Sequence, residues 1–226
     1  MKNNKNWTEI KTNDSWAIFK IMSEFVSGYE RMAKIGPCVA VFGSARTKEE
    51  NKYYQLAYDV SKKLSDNGYG IITGGGPGIM EAGNKGAADG NGESVGLSIK
   101  LPFETGYNKF IDFEHCLEFD YFFVRKVVFV KYSQAFVVLP GGLGTIDELF
   151  ETLTLIQTKK INRRPVVLMG VSYWTGLMEW VKNTMLETEN NISKEDLDLF
   201  KITDSVEECY EYINNFYKEN PFSPNF

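Results

Sequence analysis

Two glycine-rich turns constrain this chain more than anything else in it: Thr73-Gly-Gly-Gly-Pro-Gly-Ile-Met80 and Pro140-Gly-Gly-Leu-Gly-Thr-Ile-Asp-Glu148. Each follows a short apolar run that reads as a buried strand, Tyr69 to Thr73 and Ala135 to Leu139, and each leads into a segment with helical spacing. A strand, a glycine turn and a helix N-terminus in succession make an anion site. Without Cβ atoms the backbone N–H groups converge on a ligand, and the helix dipole favours negative charge there. Two such turns in one chain imply a phosphorylated small molecule held at the end of a sheet.

The rest of the pattern supplies that sheet. Apolar runs predict strands at 38–43, 69–73, 93–99, 110–117, 135–139, 165–170 and 200–203, and 3.6-residue spacing predicts helices near 49–66, 78–89, 120–132, 145–158, 173–186 and 205–217. Repeated alternation of this kind gives a doubly wound, mostly parallel α/β sheet with right-handed crossovers and helices on both faces. Before it lies an amphipathic helix over 14–34, with Asp14 or Ser15 as N-cap, Phe19, Met22, Val26, Tyr29 and Met32 as its apolar stripe, and Gly36-Pro37 as its stop. The polar stretch 187–198 reads as a solvated connection. Three units follow: an N-terminal helical extension over 1–36, one α/β domain over 37–218, and a tail over 219–226. In such sheets ligands sit beyond the carboxyl ends of the strands. Both glycine turns lie at that edge, as does Gly43-Ser44-Ala45-Arg46 after the first strand, so Ser44 and Arg46 are candidates for contact with a base or a phosphate.

Composition narrows the class. A net charge of −5 on 226 residues argues against a nucleic-acid partner, which would need a basic field. Cys38, Cys116 and Cys209 are odd in number and lack metal-ligand spacing, as expected of a reduced cytoplasm, and with His115 as the single histidine no metal site is expected. No stretch reaches the roughly 18 uninterrupted apolar residues of a membrane span, and the N-terminus carries no signal-peptide core. The expectation is a cytoplasmic protein with no membrane partner.

The common nucleotide fingerprints fail. A G-x-G-x-x-G would need glycine where Glu81 or Asp147 stands, a Walker loop would need Lys where Asn84 stands, and no G-x-S-x-G elbow occurs. What does stand out is Pro140-Gly-Gly-Leu-Gly-Thr-Ile-Asp-Glu148, which resembles the P-G-G-x-G-T-x-x-E signature of the LOG ("Lonely Guy") family of nucleoside 5′-monophosphate phosphoribohydrolases. Gly74-Gly-Gly-Pro-Gly-Ile-Met80 resembles the family's G-G-G-x-x-G-[LI]-M, and Arg125-Lys126 matches its Arg-Lys pair. The resemblance runs from about Cys38 to Tyr217. It implies a Rossmann-like homodimer, or a higher homo-oligomer, that hydrolyses the N-glycosidic bond of a nucleoside 5′-monophosphate (AMP or a cytokinin ribotide) to base and ribose 5-phosphate, without a cofactor. It also implies that Gly141, Gly142, Gly144 and Thr145 hold the 5′-phosphate and that Arg125 and Glu148 are the catalytic pair. The "lysine decarboxylase" label sometimes attached to the family finds no support in these residues. The alternative is a carrier of the same fold, resembling molybdenum-cofactor carrier proteins, that binds without turnover.

Several of these residues also carry simpler readings. Thr145-Ile-Asp-Glu148 is a capping box, in which Glu148 only ties off a helix start. Arg125 lies in Tyr121-Phe-Phe-Val-Arg-Lys-Val-Val-Phe-Val130, where propensity favours a strand and the family pattern a helix; its partner is either a carboxylate, Glu148 included, or the ligand. Lys126 is a further binding candidate, or a solvated neighbour. Gly75, Gly76 and Gly78 form either a ligand loop or a bare tight connection. Met80 is placed to pack on a base and Glu81 to touch ribose hydroxyls. Apolar residues on more than one face of the helices at 120–132 and 145–158 point to a second subunit.

Overall fold

The computed structural model describes residues 7–100 and 106–226, with side chains from Trp16 onward. Among them are β1 (Cys38–Phe42), β2 (Gly70–Thr73), β3 (Ser94–Ile99), β4 (Cys116–Phe119), β5 (Ser133–Val138), β6 (Val166–Met169) and β7 (Lys201–Thr203). The helices are α1 (Trp7–Met32), α2 (Lys52–Ser65), α3 (Ile79–Ala88), α4 (Phe122–Tyr132), α5 (Leu143–Gln157), α6 (Val171–Trp180) and α7 (Val206–Glu219). The strands form one sheet in the order β4-β3-β2-β1-β5-β6-β7, parallel throughout. The winding reverses between β1 and β5, so their carboxyl ends open the crevice where ligands bind in such sheets.

Strand alternation divides the core in two. Cys38, Ala40 and Phe42 of β1 join Phe136, Val138 and Leu168 on one face, under α1, α4, α5 and α6. Val39 and Val41 join Ala135, Val137 and Val167 on the other, under α2, α3 and α7. Each central strand is buried on both sides, which is why these strands read as unbroken apolar runs. The doubly wound α/β architecture expected from the sequence is the one observed.

Two local expectations are corrected. The strand expected at 110–117 is β4 at Cys116–Phe119, preceded by a 3₁₀ turn at Phe113–His115. Asp112 is occupied at the start of β3, donating its N–H to Ser94 O and accepting the Ser94 N–H at its carboxylate, so the run before Cys116 clips β3 instead of pairing along it. The first helix begins at Trp7, upstream of Asp14 and Ser15, which lie within it and do not cap it. The connection at 187–198 is mostly exposed, as expected of a solvated segment; α6 runs on into a π-helical turn at Val181–Thr188, and a Ser193–Asp196 capping box opens a 3₁₀ turn at Lys194–Leu199.

The apolar run at 121–130 is helical despite its valines. As α4 it buries Val124, Val128 and Phe129, and α1 lies across it so closely that a Cβ on Gly28 would stand 3.1 Å from Val128. Packing on two sides overrides β-propensity here. Glu24 of α1 accepts the N–H groups of Asp120 and Tyr121, tying that helix to the start of α4. At the chain's other end Asn225 is buried, accepting from Arg164 Nε and donating to Ser133 O.

Candidate active site

A cavity of about 980 Å³ opens at the carboxyl ends of β1, β2, β3 and β5. Its floor at the switch point is the second glycine turn. α5 starts at Leu143 with Gly142 as N-cap, and its first helical hydrogen bond runs from Ile146 N–H to Gly142 O. The amides of Leu143, Gly144 and Thr145 precede that bond and stand at the positive end of the helix dipole. Gly141 is glycine of necessity, since a Cβ there would meet Thr145 Oγ1 at 2.1 Å, whereas Gly142 and Gly144 border open space. Thr145 is therefore the third helical residue, and Thr145-x-x-Glu148 is not a capping box. The turn is instead an exposed set of donors.

Glu148, one turn further along α5, is buried, and its Oε1 lies 3.5 Å from Nη2 of Arg125 on α4. Burial pushes the Glu148 carboxyl up to about 7 against the opposing pull of Arg125 and Lys126. Desolvation outweighs the two cations because the carboxylate is almost out of water while its nearest guanidinium is not in close contact. The Arg125 guanidinium also lies over the rings of Phe122 and Phe129, 5.2 and 5.8 Å from their centroids.

Of the residues singled out from the sequence, Ser44, Arg46, Gly75, Gly76, Met80, Arg125, Gly141, Gly142, Gly144, Thr145 and Glu148 line this cavity. Three do not. Lys126 points away, bridging Asp147 at 2.7 Å and Glu151 at 2.8 Å, and clamps α4 to α5 beside the Arg125–Glu148 pair. Glu81 is one residue round α3 from Met80, a turn of about 100°, and lies outside the cavity lining; burial, with the Glu81 and Glu49 charges, pushes the Tyr54 hydroxyl up to about 12. Gly78 is buried with φ +69°, and a Cβ there would stand 2.4 Å from Ser44 O; it brings two loops into contact, and the next amide, Ile79 N–H, donates to Ser44 O.

The cavity also holds residues that no motif marked. Tyr173, at the start of α6, donates its hydroxyl to Gly141 O at 2.5 Å and so supports the second turn. At the β3–β4 end, Ser98, Lys100, Tyr107, Glu118 and Phe122 form another wall. Tyr173 follows a strand's carboxyl end, and the edge rule applied to β6 would have flagged it. The β3–β4 wall has no comparable signal, because it is assembled from residues whose only common property is where the sheet brings them.

Comparison with known proteins agrees with this architecture. A family model described as "Possible lysine decarboxylase" matches residues 80–213, well over half of the chain. The chain is 30% identical over 158 residues to the probable cytokinin riboside 5′-monophosphate phosphoribohydrolase LOG6 of Arabidopsis thaliana, covering 66% of this chain and 74% of that protein. It is 28% identical over 153 residues to LOG3 of the same plant, covering 66% and 69%. Among solved structures, the molybdenum cofactor carrier protein of Chlamydomonas reinhardtii shares the fold, with a TM-score of 0.59 at 22% identity over 81% of this chain and 99% of that one. With both glycine signatures, the Arg-Lys pair and the model match in agreement, the chain belongs to the LOG family, the family whose model carries the lysine decarboxylase description.

Proposed function

We propose that the protein hydrolyses the N-glycosidic bond of a nucleoside 5′-monophosphate, of the AMP or cytokinin ribotide type, releasing free base and ribose 5-phosphate. The observation that carries this reading is the Arg125–Glu148 pair set in the wall of the same cavity as the α5 N-terminus. The 5′-phosphate sits on the amides of Leu143, Gly144 and Thr145, which anchors the sugar with C1′ toward Glu148. As the C1′–N bond breaks, positive charge grows on the ribose. Ionised Glu148 stabilises that charge and takes a proton from the attacking water, whose oxygen bonds to C1′; the departing base takes up a proton. Arg125 holds the Glu148 carboxylate in place and faces the anionic substrate. Relatives bearing the phosphoribohydrolase name support the reaction class. A panel of 5′-monophosphates assayed for free base tests it, with a purine ribotide expected to be cleaved fastest; no base released from any of them would count against it. The carrier reading draws on the shared fold, but a carrier needs the glycine turns and no buried acid beside an arginine.

The raised Glu148 carboxyl sets a pH dependence. The group must be ionised to act, so kcat/KM should fall tenfold per pH unit below a midpoint near 7, and the limb should be missing from the residual activity of Glu148→Gln. An acid limb centred near 4.5 would show that Glu148 is not buried in the working enzyme.

The enzyme is further proposed to act as a homodimer or a higher homo-oligomer, working in the cytoplasm. Part of the apolar surface expected to need a partner is covered within the chain, since α1 lies on Val128. Around the cavity mouth, however, Phe122 and Phe123 are half exposed and Leu143 is 89% exposed. Leu153→Glu on α5 should lower both dimer mass and activity, and a fully active monomer in light scattering would contradict the assembly.

A further inference from the structure

The second glycine turn is held from two sides. Pro140 O accepts the Ser44 N–H at 3.1 Å, which fixes the peptide that enters the turn. Gly141 O accepts the Tyr173 hydroxyl at 2.5 Å, and among the described residues that hydroxyl is its one hydrogen-bond partner. Tyr173 is itself set in place. Asp204, just past β7, accepts the N–H groups of Gly170 and Val171 and so holds the start of α6. Tyr173 N–H donates to Gly170 O, and its ring stands edge-on to the fully buried Trp174, with 4.9 Å between centroids.

The peptide between Gly141 and Gly142 needs such a restraint. Among the described residues every peptide is trans, so the Gly142 N–H points opposite to the Gly141 C=O. Gly142 is the N-cap of α5. Its N–H, like those of Leu143, Gly144 and Thr145, meets no acceptor among the described residues, and together they are the four unsatisfied amides of that helix start. A peptide flanked by two glycines turns over at little steric cost. Turned over, it would set the Gly141 carbonyl where the Gly142 N–H stands, an acceptor against an anion. It would also carry Gly142 from φ −90° to about +90° at ψ −159°, a region open essentially to glycine alone. An alanine at 142 has room for its Cβ in the observed form, with nothing within 4 Å, but is barred from the turned-over one.

We infer that Tyr173 is a positioning residue for the substrate's phosphate: its hydroxyl keeps the Gly141–Gly142 peptide turned so that the Gly142 N–H joins the donors of the second turn. The inference rests on the phosphate placement proposed above, and it confines the effect of Tyr173 to phosphate-bearing ligands. The test compares the intact wild type with Tyr173→Phe, which removes one hydroxyl and leaves the half-exposed ring against Trp174. Calorimetry measures binding of inorganic phosphate, AMP and adenosine, and base release measures turnover of AMP. Tyr173→Phe should weaken phosphate and AMP about tenfold, the equivalent of one hydrogen bond of roughly 1.4 kcal/mol, while adenosine binds within about twofold of wild type. In a Gly142→Ala background, where the turned-over peptide is denied, the same Tyr173→Phe change should cost less than about twofold.

Unchanged phosphate and AMP affinities in Tyr173→Phe would overturn the inference. So would an equal loss for adenosine, the mark of a residue that only packs, or a full tenfold cost persisting in the Gly142→Ala background. A protein whose phosphate binding depends on the Tyr173 hydroxyl but which releases no base would sink the hydrolase reading and leave the positioning role standing. One that cleaves AMP with constants indifferent to Tyr173→Phe would do the reverse.

Discussion

Glu148→Gln should lower kcat for base release about a thousandfold while AMP binding stays within a few fold. Gln keeps the shape of the side chain at the end of the first turns of α5, so the phosphate amides and the cavity wall are unchanged. What it removes is a buried negative charge aimed at the atom where positive charge develops. Deleting one such preorganised electrostatic contact costs about 10² to 10³ in kcat, and here the same group also takes the proton from water. Stability should move the other way. The carboxyl titrates near 7 in the folded chain, above its ordinary value of 4.5, so burying it ionised costs stability. That cost begins as pH rises past the unfolded value and is complete above the folded one, on the order of 3 kcal/mol by linkage. A neutral Gln escapes it, so at pH 8 the variant should melt no lower than the wild type. A variant that keeps most of its kcat would reduce Glu148 to a buried helix residue.

Adenosine should be a substrate at least about a thousandfold poorer than AMP in kcat/KM, and much of the loss should fall in kcat. The phosphate does not react. Its contacts with the α5 amides are remote binding energy, which holds C1′ against Glu148 and is realised in the transition state. Without them the nucleoside is free to occupy a 980 Å³ cavity in many poses. Leu143→Pro, which removes one first-turn N–H at the first helical position, where proline fits a helix, should shrink the preference for AMP. Comparable constants for nucleoside and nucleotide would remove the phosphate site from the account.

Much of this was legible in the chain itself. The strand–turn–helix succession around Gly74 and Gly141 located the cavity, because glycine turns at helix starts leave backbone N–H groups to meet a ligand; the contacts that demand glycine, Thr145 against Gly141 and the Ser44 loop against Gly78, appear only in the structure. The central strands were legible because burial on both faces leaves them wholly apolar. Other features were not. Thr145-x-x-Glu148 imitates a capping box because its spacing is right, and only the helix start at Leu143 shows that Thr145 is already inside. Glu81 and Lys126 are charged residues adjacent in sequence to cavity residues, but helix rotation takes Glu81 out of the cavity lining and turns Lys126 to Asp147 and Glu151. Tyr173 carries no motif at all. Its importance comes from a tertiary neighbour, the Gly141 carbonyl that its hydroxyl supports.

The most direct test of the central claim is to incubate the protein with AMP and follow adenine and ribose 5-phosphate together by chromatography. The account predicts that both accumulate in equal amounts, with the catalytic rate lost in Glu148→Gln. AMP bound at the cavity but recovered intact from the wild type would contradict it.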